Sequence, residues 1–356
     1  MTVVFYVSGH GLGHATRDIE VMHAIAALDP DARIAVRTSA PRWIFERTAP
    51  ARLELHAVDV DTGVAEAGDL TIDQAATVRD ASRFYHDFDR RVNEEASWLA
   101  ASEADLVVGD IPPLAFAAAA RAGVPSAALG NFTWDWIYDA YPAMRADAPH
   151  VLPAVRRAYG AATIALRLPL HGGFDAMLPV TSDIPFVARV STRDRRDTRA
   201  RLGLPGDRAA VLVSLGRFGL DWPREALARS SGFSLVDNDA ATLDAHGLAY
   251  ADLVAAADIV ISKPGYGIVS ECVANGTALL YTSRDGFVEA DMLAEAMPAV
   301  LRCRFLPRAD LVSGRWDAAI DALLAQPAPA ERPRVDGARV VLQSLDALVK
   351  KTSGLR

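Results

Sequence analysis

Three glycines at alternate positions, Gly9, Gly11 and Gly13, interrupt the chain directly after an apolar opening run, residues 3–8, and Ile19, Met22 and Ile25 then follow at helical spacing. A buried strand that turns through glycines into a helix begins a parallel sheet, because a parallel neighbour is reached only by a crossover long enough to hold a helix. The alternation continues. Ile34 and Val36, then Leu53, Leu55 and Ala57, read as strands; 72–101 reads as a long helical stretch, 105–108 as a strand, 114–121 as a helix and 126–129 as a strand. This rhythm predicts an α/β fold in which a Rossmann-like sheet is covered on both faces.

The rhythm breaks between 168 and 206, where Pro169, Pro179, Pro185, Pro205, the Gly172-Gly173 pair and the charged run 193–197 look like a linker entering a charged helix. Strands at 209–214, 233–236, 258–262, 278–281 and 300–303 then form a second, smaller Rossmann-like series. A stiff proline-rich spacer, 326–333, leads to a last helix near 335–350. The expected domains are therefore 1–184 and 185–334, with a closing helix in 335–356 that packs back on the first; two domains is also what 356 residues predict.

With 51% hydrophobic and 23% charged residues the chain has the balance of a folded soluble protein. Its 37 basic and 45 acidic residues leave a net charge of −8, which argues against a general nucleic-acid binder. Cys272 and Cys303 make no disulfide framework and no metal-ligand spacing, and no basic leader precedes the first strand; a reducing, cytoplasmic setting is expected. The longest uncharged stretch, 122–134, has 13 residues, short of the roughly 20 that span a bilayer. No transmembrane segment is expected, and peripheral contact with a membrane stays open.

Ligands of open parallel sheets bind outside the carboxyl ends of the strands, so the loops there carry the chemistry. In Ser8-Gly9-His10-Gly11-Leu12-Gly13-His14-Ala15-Thr16-Arg17 the glycines let backbone N–H groups approach an anion at a helix N-terminus. A dinucleotide fingerprint is matched only as far as its third glycine, where His14 follows. Three readings stay open: His14 as a proton acceptor, since a helix N-terminus disfavours imidazolium; His10 and His14 as an i, i+4 metal pair, with no third ligand spaced to them; or a glycine turn with capping histidines. The second loop, Lys263-Pro-Gly-Tyr-Gly267, lies between the 258–262 strand and a helix over 268–275 that Gly276 closes. Such an element offers unpaired N–H groups to a phosphate or diphosphate. Lys263 stands alone among the first 349 residues in a chain where 34 of 37 basic residues are arginine, which points to a site that needs a compact ammonium. Glu271 is either an acceptor for ribose hydroxyls or a complement to the helix dipole.

The segments SGHGLGHATR (8–17), ADLVVGDIPPLA (104–115), NFTWDWIY (131–138) and ISKPGYGIVSECVANGTALLYTSR (261–284) resemble the GT-B glycosyltransferases. Within them the match is to the glycosyltransferase-like N-terminal region of L-arabinokinases and its stand-alone bacterial relatives. The resemblance implies two Rossmann-like domains with parallel sheets facing a central cleft, the second holding a nucleotide sugar, expected to be a uridine one, and the first an unidentified acceptor. It assigns Gly265, Tyr266, Gly267 and Ser270 to the donor diphosphate and Glu271 to the ribose. Gly216 and Arg217 fall in the glycine loop after the first strand of the second domain, where Arg217 either neutralises the diphosphate or is a solvated charge. Glu289 or Asp291 falls where donor sugar hydroxyls are recognised, or serves a helix start. His14 matches the general base of inverting members, with Asp110 orienting its imidazole.

The resemblance implies a metal-independent enzyme that uses the nucleotide sugar as substrate and needs no cofactor. Since the transferase-like region fills the length, no kinase activity is expected. The pairs Asp59/Asp61, Asp87/Asp89 and Asp237/Asp239 imitate the D-x-D metal signature of a different transferase fold and read here as surface carboxylates. Trp134 and Trp136 either stack on an acceptor or pack a core. Two other functions fit the same residues: a non-catalytic nucleotide-sugar-binding regulator, and a GT-B-fold nucleotide-sugar epimerase.

Overall fold

The apolar opening run forms β1 (Thr2–Val7), every residue of which is buried. In the computed structural model, which describes residues 1–68, 70–215, 222–228, 232–330 and 332–353, it lies in a sheet with β2 (Arg33–Thr38), β3 (Leu53–Ala57), β4 (Leu106–Asp110), β5 (Ser126–Gly130), β6 (Ile164–Arg167) and β7 (Thr181–Asp183). The order is β3-β2-β1-β4-β5-β6-β7 and each pairing is parallel. A second parallel sheet, β12-β11-β10-β8-β9, comprises β8 (Ala209–Ser214), β9 (Phe233–Val236), β10 (Ile259–Ser262), β11 (Ala278–Tyr281) and β12 (Cys303–Phe305).

Central strands admit polar side chains only as satisfied sets. Tyr6 of β1 donates its hydroxyl to Glu95 Oε2 at 2.8 Å, and Arg37 of β2 forks onto the same carboxylate while its guanidinium lies 4.1 Å over the Trp98 ring. Burial and the Glu95 charge together hold the Tyr6 phenol well above its usual range. In the second sheet Val211, Ile259, Ile261 and Leu280 pack on Phe233 and Trp316, whose rings stack 5.9 Å apart.

The chain divides into two compact units. One takes in Met1–Glu66, Ile72–Val187 and the chain from Asp336; the other takes in Ala67–Thr71 and Ala188–Val335. The expected linker is thus partly strand. β7, between Pro179 and Pro185, pairs with β6, and a three-residue edge strand without an apolar run leaves no periodicity to read. Likewise the expected 72–101 helix is two, Gln74–His86 and Phe88–Ala101, divided at Asp87. The last strand lies at Cys303–Phe305, later than the 300–303 run suggests. The excursion 67–71 had no sequence signal. Its Leu70 is buried in the second unit's core, and the Leu70 carbonyl accepts from Asp285 N at 3.0 Å.

The closing helix, Gly337–Ser353, belongs to the first unit and buries Val341, Leu345 and Leu348. It starts against the chain at 185–186: Gly337 N donates to Phe186 O at 3.0 Å, and a Cβ on Gly337 would lie 2.3 Å from Pro185 O. A side chain there must push backbone apart. Gly337→Ala is expected to lower the unfolding free energy by about 2–3 kcal/mol in urea titrations; an unchanged midpoint would mean the helix does not seat there.

Candidate functional site

Each sheet reverses its strand order once, and loops leaving the two strands at such a point diverge and open a crevice at their carboxyl ends. In the first unit that point lies between β1 and β4, joined past the strand end by Ser8 N donating to Asp110 O at 2.8 Å. In the second it lies between β8 and β10, where Ser262 Oγ donates to Ser214 O at 2.5 Å.

His14 is the second residue of the helix Gly13–Leu28 and Asp110 the last of β4; the imidazole Nδ1 lies 2.7 Å from Asp110 Oδ1, with both residues buried. One helical turn on, Arg17 sends its fork onto both Asp110 oxygens and donates from Nη1 to Asn131 Oδ1 at 2.9 Å. The turn spacing that puts Arg17 beside His14 is the signal that could have found it. Burial acts to raise the Asp110 carboxyl, but the Arg17 guanidinium and the His14 imidazole outweigh it and hold the group below the usual carboxylate range. Facing a carboxylate oxygen, Nδ1 must carry the ring proton, which leaves Nε2 as the basic nitrogen.

Beside them Asp18 is fully buried and no protein donor reaches either of its oxygens. Burial, reinforced by the Asp110 charge, pushes the Asp18 carboxyl well above the usual range. Asp61 corrects the reading of D-x-D pairs as surface groups. It is 7% exposed, accepts from the Trp134 indole N–H at 2.9 Å and from Ser8, and burial pushes it up to about 6. Trp134 is thereby committed to packing: it has no exposed surface and stacks on Tyr138 with ring centroids 5.6 Å apart. The Trp136 ring is seated against Gly172, where a Cβ would lie 2.4 Å from it.

The glycine loop is shaped by contacts as well as by openness. A Cβ on Gly9 would lie 2.2 Å from Ser39 Oγ, and Gly11 has φ +77°, in the left-handed region. Because the helix begins at Gly13, His10 lies outside it, with its ring edge-on to Trp134 at 5.6 Å; the i, i+4 helical geometry of a metal pair is not formed. Among the described residues no three His, Cys, Asp or Glu side chains gather as a metal site.

In the second unit the helix starts at Tyr266, two residues before the expected 268, with Gly265 as its extended N-cap. A Cβ on Gly265 would meet nothing within 4 Å, so the approach to this helix start is open. Lys263 is half-buried in the turn, and Ser270 Oγ donates to Gly267 O at 2.9 Å within the helix. Glu271 is buried and its Oε1 is held by Arg189, from Nε at 2.6 Å and Nη2 at 2.5 Å. Burial raises the Glu271 carboxyl and Arg189 opposes the rise. Asn275 fastens the Arg189 segment to the same helix, donating to Arg189 O at 3.0 Å and accepting from Ser191 N at 2.9 Å. Arg189 lay in the expected linker and carried no motif. Glu289 is buried in the first turn of the helix Val288–Ala296 and Asp291 is exposed. Gly216 and Arg217 lie outside the described residues.

No family model matches the chain. L-Arabinokinase of Arabidopsis thaliana is 31% identical over 330 residues, which are 89% of this chain and 31% of the plant protein, so the chain spans about a third of that relative. Among solved structures, CalG4, the calicheamicin glycosyltransferase, is similar with a TM-score of 0.62 at 17% identity over 98% of both chains. Phytolacca americana UGT2, complexed with UDP-2fluoro-glucose and pterostilbene, gives 0.56 at 12% identity over 90% of this chain and 89% of its own. These likenesses establish the fold as that of the GT-B glycosyltransferases. Among the described residues no helix is long and apolar enough to cross a membrane.

The displaced titration of Asp61 has a measurable sign. Between roughly pH 4 and pH 6 an unfolded chain has released this proton while the folded protein keeps it, so its contribution to stability falls as pH rises through that window and stays lower above it. Asp61→Asn keeps an acceptor for Trp134 and removes the titration. The variant is expected to gain on the wild type by on the order of 2–3 kcal/mol between pH 4 and pH 7 in urea unfolding; parallel pH profiles would show that Asp61 does not titrate there.

Proposed function

We propose that the chain is a glycosyltransferase that moves a sugar from a nucleoside-diphosphate donor, a uridine nucleotide, to an acceptor hydroxyl. The observation that carries this reading is the His14–Asp110 pair, Nδ1 to Oδ1 2.7 Å, at the strand-order reversal of the first sheet in a GT-B fold. In this reading His14 Nε2 accepts the hydroxyl proton, the acceptor oxygen bonds to the anomeric carbon, and the bond from that carbon to the diphosphate breaks with its electron pair leaving on the diphosphate. Asp110 keeps the imidazole oriented and stabilises the imidazolium until the proton passes to water.

The second unit supplies the donor side. Backbone N–H groups at the start of the helix Tyr266–Asn275, with Gly265 and Gly267 allowing close approach and Lys263 adding charge, stabilise the departing diphosphate in place of a metal ion. Glu271 accepts from the ribose hydroxyls and Glu289 from the sugar. UDP-2fluoro-glucose in the UGT2 structure supports a donor of this class. The chemistry is sugar transfer, with no phosphorylation step.

Calorimetric titration with UDP and a panel of UDP-sugars tests the reading. Binding is expected, with Lys263→Ala or Glu271→Ala weakening it by roughly 1–3 kcal/mol. His14→Ala should bind donor as the wild type does and lose turnover, donor hydrolysis included. A folded protein that binds no nucleotide at all would overturn the proposal.

A further inference from the structure

Asp110 holds a second side chain besides the imidazole that a His–Asp pair needs. Arg17, 4% exposed, commits its fork to both Asp110 oxygens and a third nitrogen to Asn131, and its Nη2 also lies 3.0 Å from His14 Nδ1. We infer that Arg17 is a positioning residue that keeps His14 Nε2 unprotonated and therefore able to take a proton; the catalytic use of that nitrogen rests on the transferase reading above.

The inference is one of charge balance. A carboxylate that faces only an imidazole favours its cation, because the two opposite charges then cancel in a poorly polarisable interior. Here the cancellation is already made. Arg17 offsets Asp110, Asp18 is buried with no donor to either oxygen, and the Asp61 carboxylate, ionised at pH 7, is already held by the Trp134 indole N–H and Ser8. An imidazolium would add a positive charge beside Arg17 Nη2, a like-charge contact that burial does not screen. Asp61, on the loop after β3, is the other titratable group facing the imidazole. Phe132 meets the ring edge-on at 5.6 Å and supplies no charge. Asn131 fixes the remaining freedom, since a guanidinium held at three nitrogens cannot swing off the carboxylate. Deleting the Arg17 charge leaves Asp110 unbalanced, and the nearest group able to supply a positive charge is His14.

The imidazole nitrogens report this directly. In ¹⁵N-labelled protein at pH 7, with His14 identified by the signal lost in His14→Gln, the wild type is expected to show one ring proton, on Nδ1. Arg17→Met is expected to show protons on both nitrogens, and so is Arg17→Gln, which keeps a hydrogen-bond donor and guards against a methionine variant that fails to fold. Arg17→Met/Asp110→Asn, with both charges gone, should return to a single proton. Turnover by Arg17→Gln at neutral pH should fall at least about tenfold in kcat with donor KM unchanged, a loss of about 1.4 kcal/mol in transition-state stabilisation. A wild-type proton on Nε2, or spectra in both Arg17 variants that match the wild type, overturns the inference. If the spectra behave as expected but no UDP-sugar binds or reacts, the transferase reading falls and the charge balance stands.

Discussion

Asp110 is the group on which the first unit's site depends. A carboxylate at the end of a central strand has no water to stabilise it, so every neighbour must be arranged to do so. The chain meets this demand from three elements. The helix Gly13–Leu28 sends His14 and Arg17, Asn131 steadies the guanidinium from beyond β5, and Ser8 ties the adjoining backbone across to β1. Asp18 enters the same volume with no donor to either oxygen, and burial beside the Asp110 charge pushes its carboxyl well above the usual range. The glycine loop is then constrained at both ends, by Ser8 at the strand and by His14 and Arg17 in the first turns of the helix.

The two units solve the same placement problem with different chemistry. In both, the strand order reverses once and a glycine-bearing turn leads from a strand into a helix at that point. The first helix presents an imidazole backed by a carboxylate, suited to a proton. The second presents a glycine N-cap with open space before it and a half-buried lysine in the turn, suited to an anion. The difference comes from what stands two to four residues from the turn, and not from the backbone path.

That distinction also explains what could be read from the sequence. β1, β8, β9 and β11 are apolar runs, and their period is visible without neighbours. β7 is not, because Thr181–Asp183 is made a strand by pairing with β6. His14 and Asp110 could be paired through a family resemblance, whereas Asp61 looked like an exposed acid because nothing local reveals that Trp134, 73 positions away, will donate to it. Arg189 was hidden for the same reason: its partner Glu271 is 82 residues distant, and the extended segment that holds it has no pattern of its own. Long-range polar pairs leave no periodic trace, since each is a single contact whose partners are chosen by the fold.

The excursion of 67–71 into the second unit has a consequence for how this architecture can be taken apart or recombined. Reading along the chain, the backbone changes units near 66, 72, 188 and 336, so three separate stretches make up the first unit and two make up the second. No single cut yields either one intact. An exchange of the His14-bearing unit for another of its kind must carry three segments across four joints and leave behind a five-residue tongue whose Leu70 fills its neighbour's core. The covalent connection between the two units is therefore a fourfold one, and neither can be exchanged as a single stretch of chain.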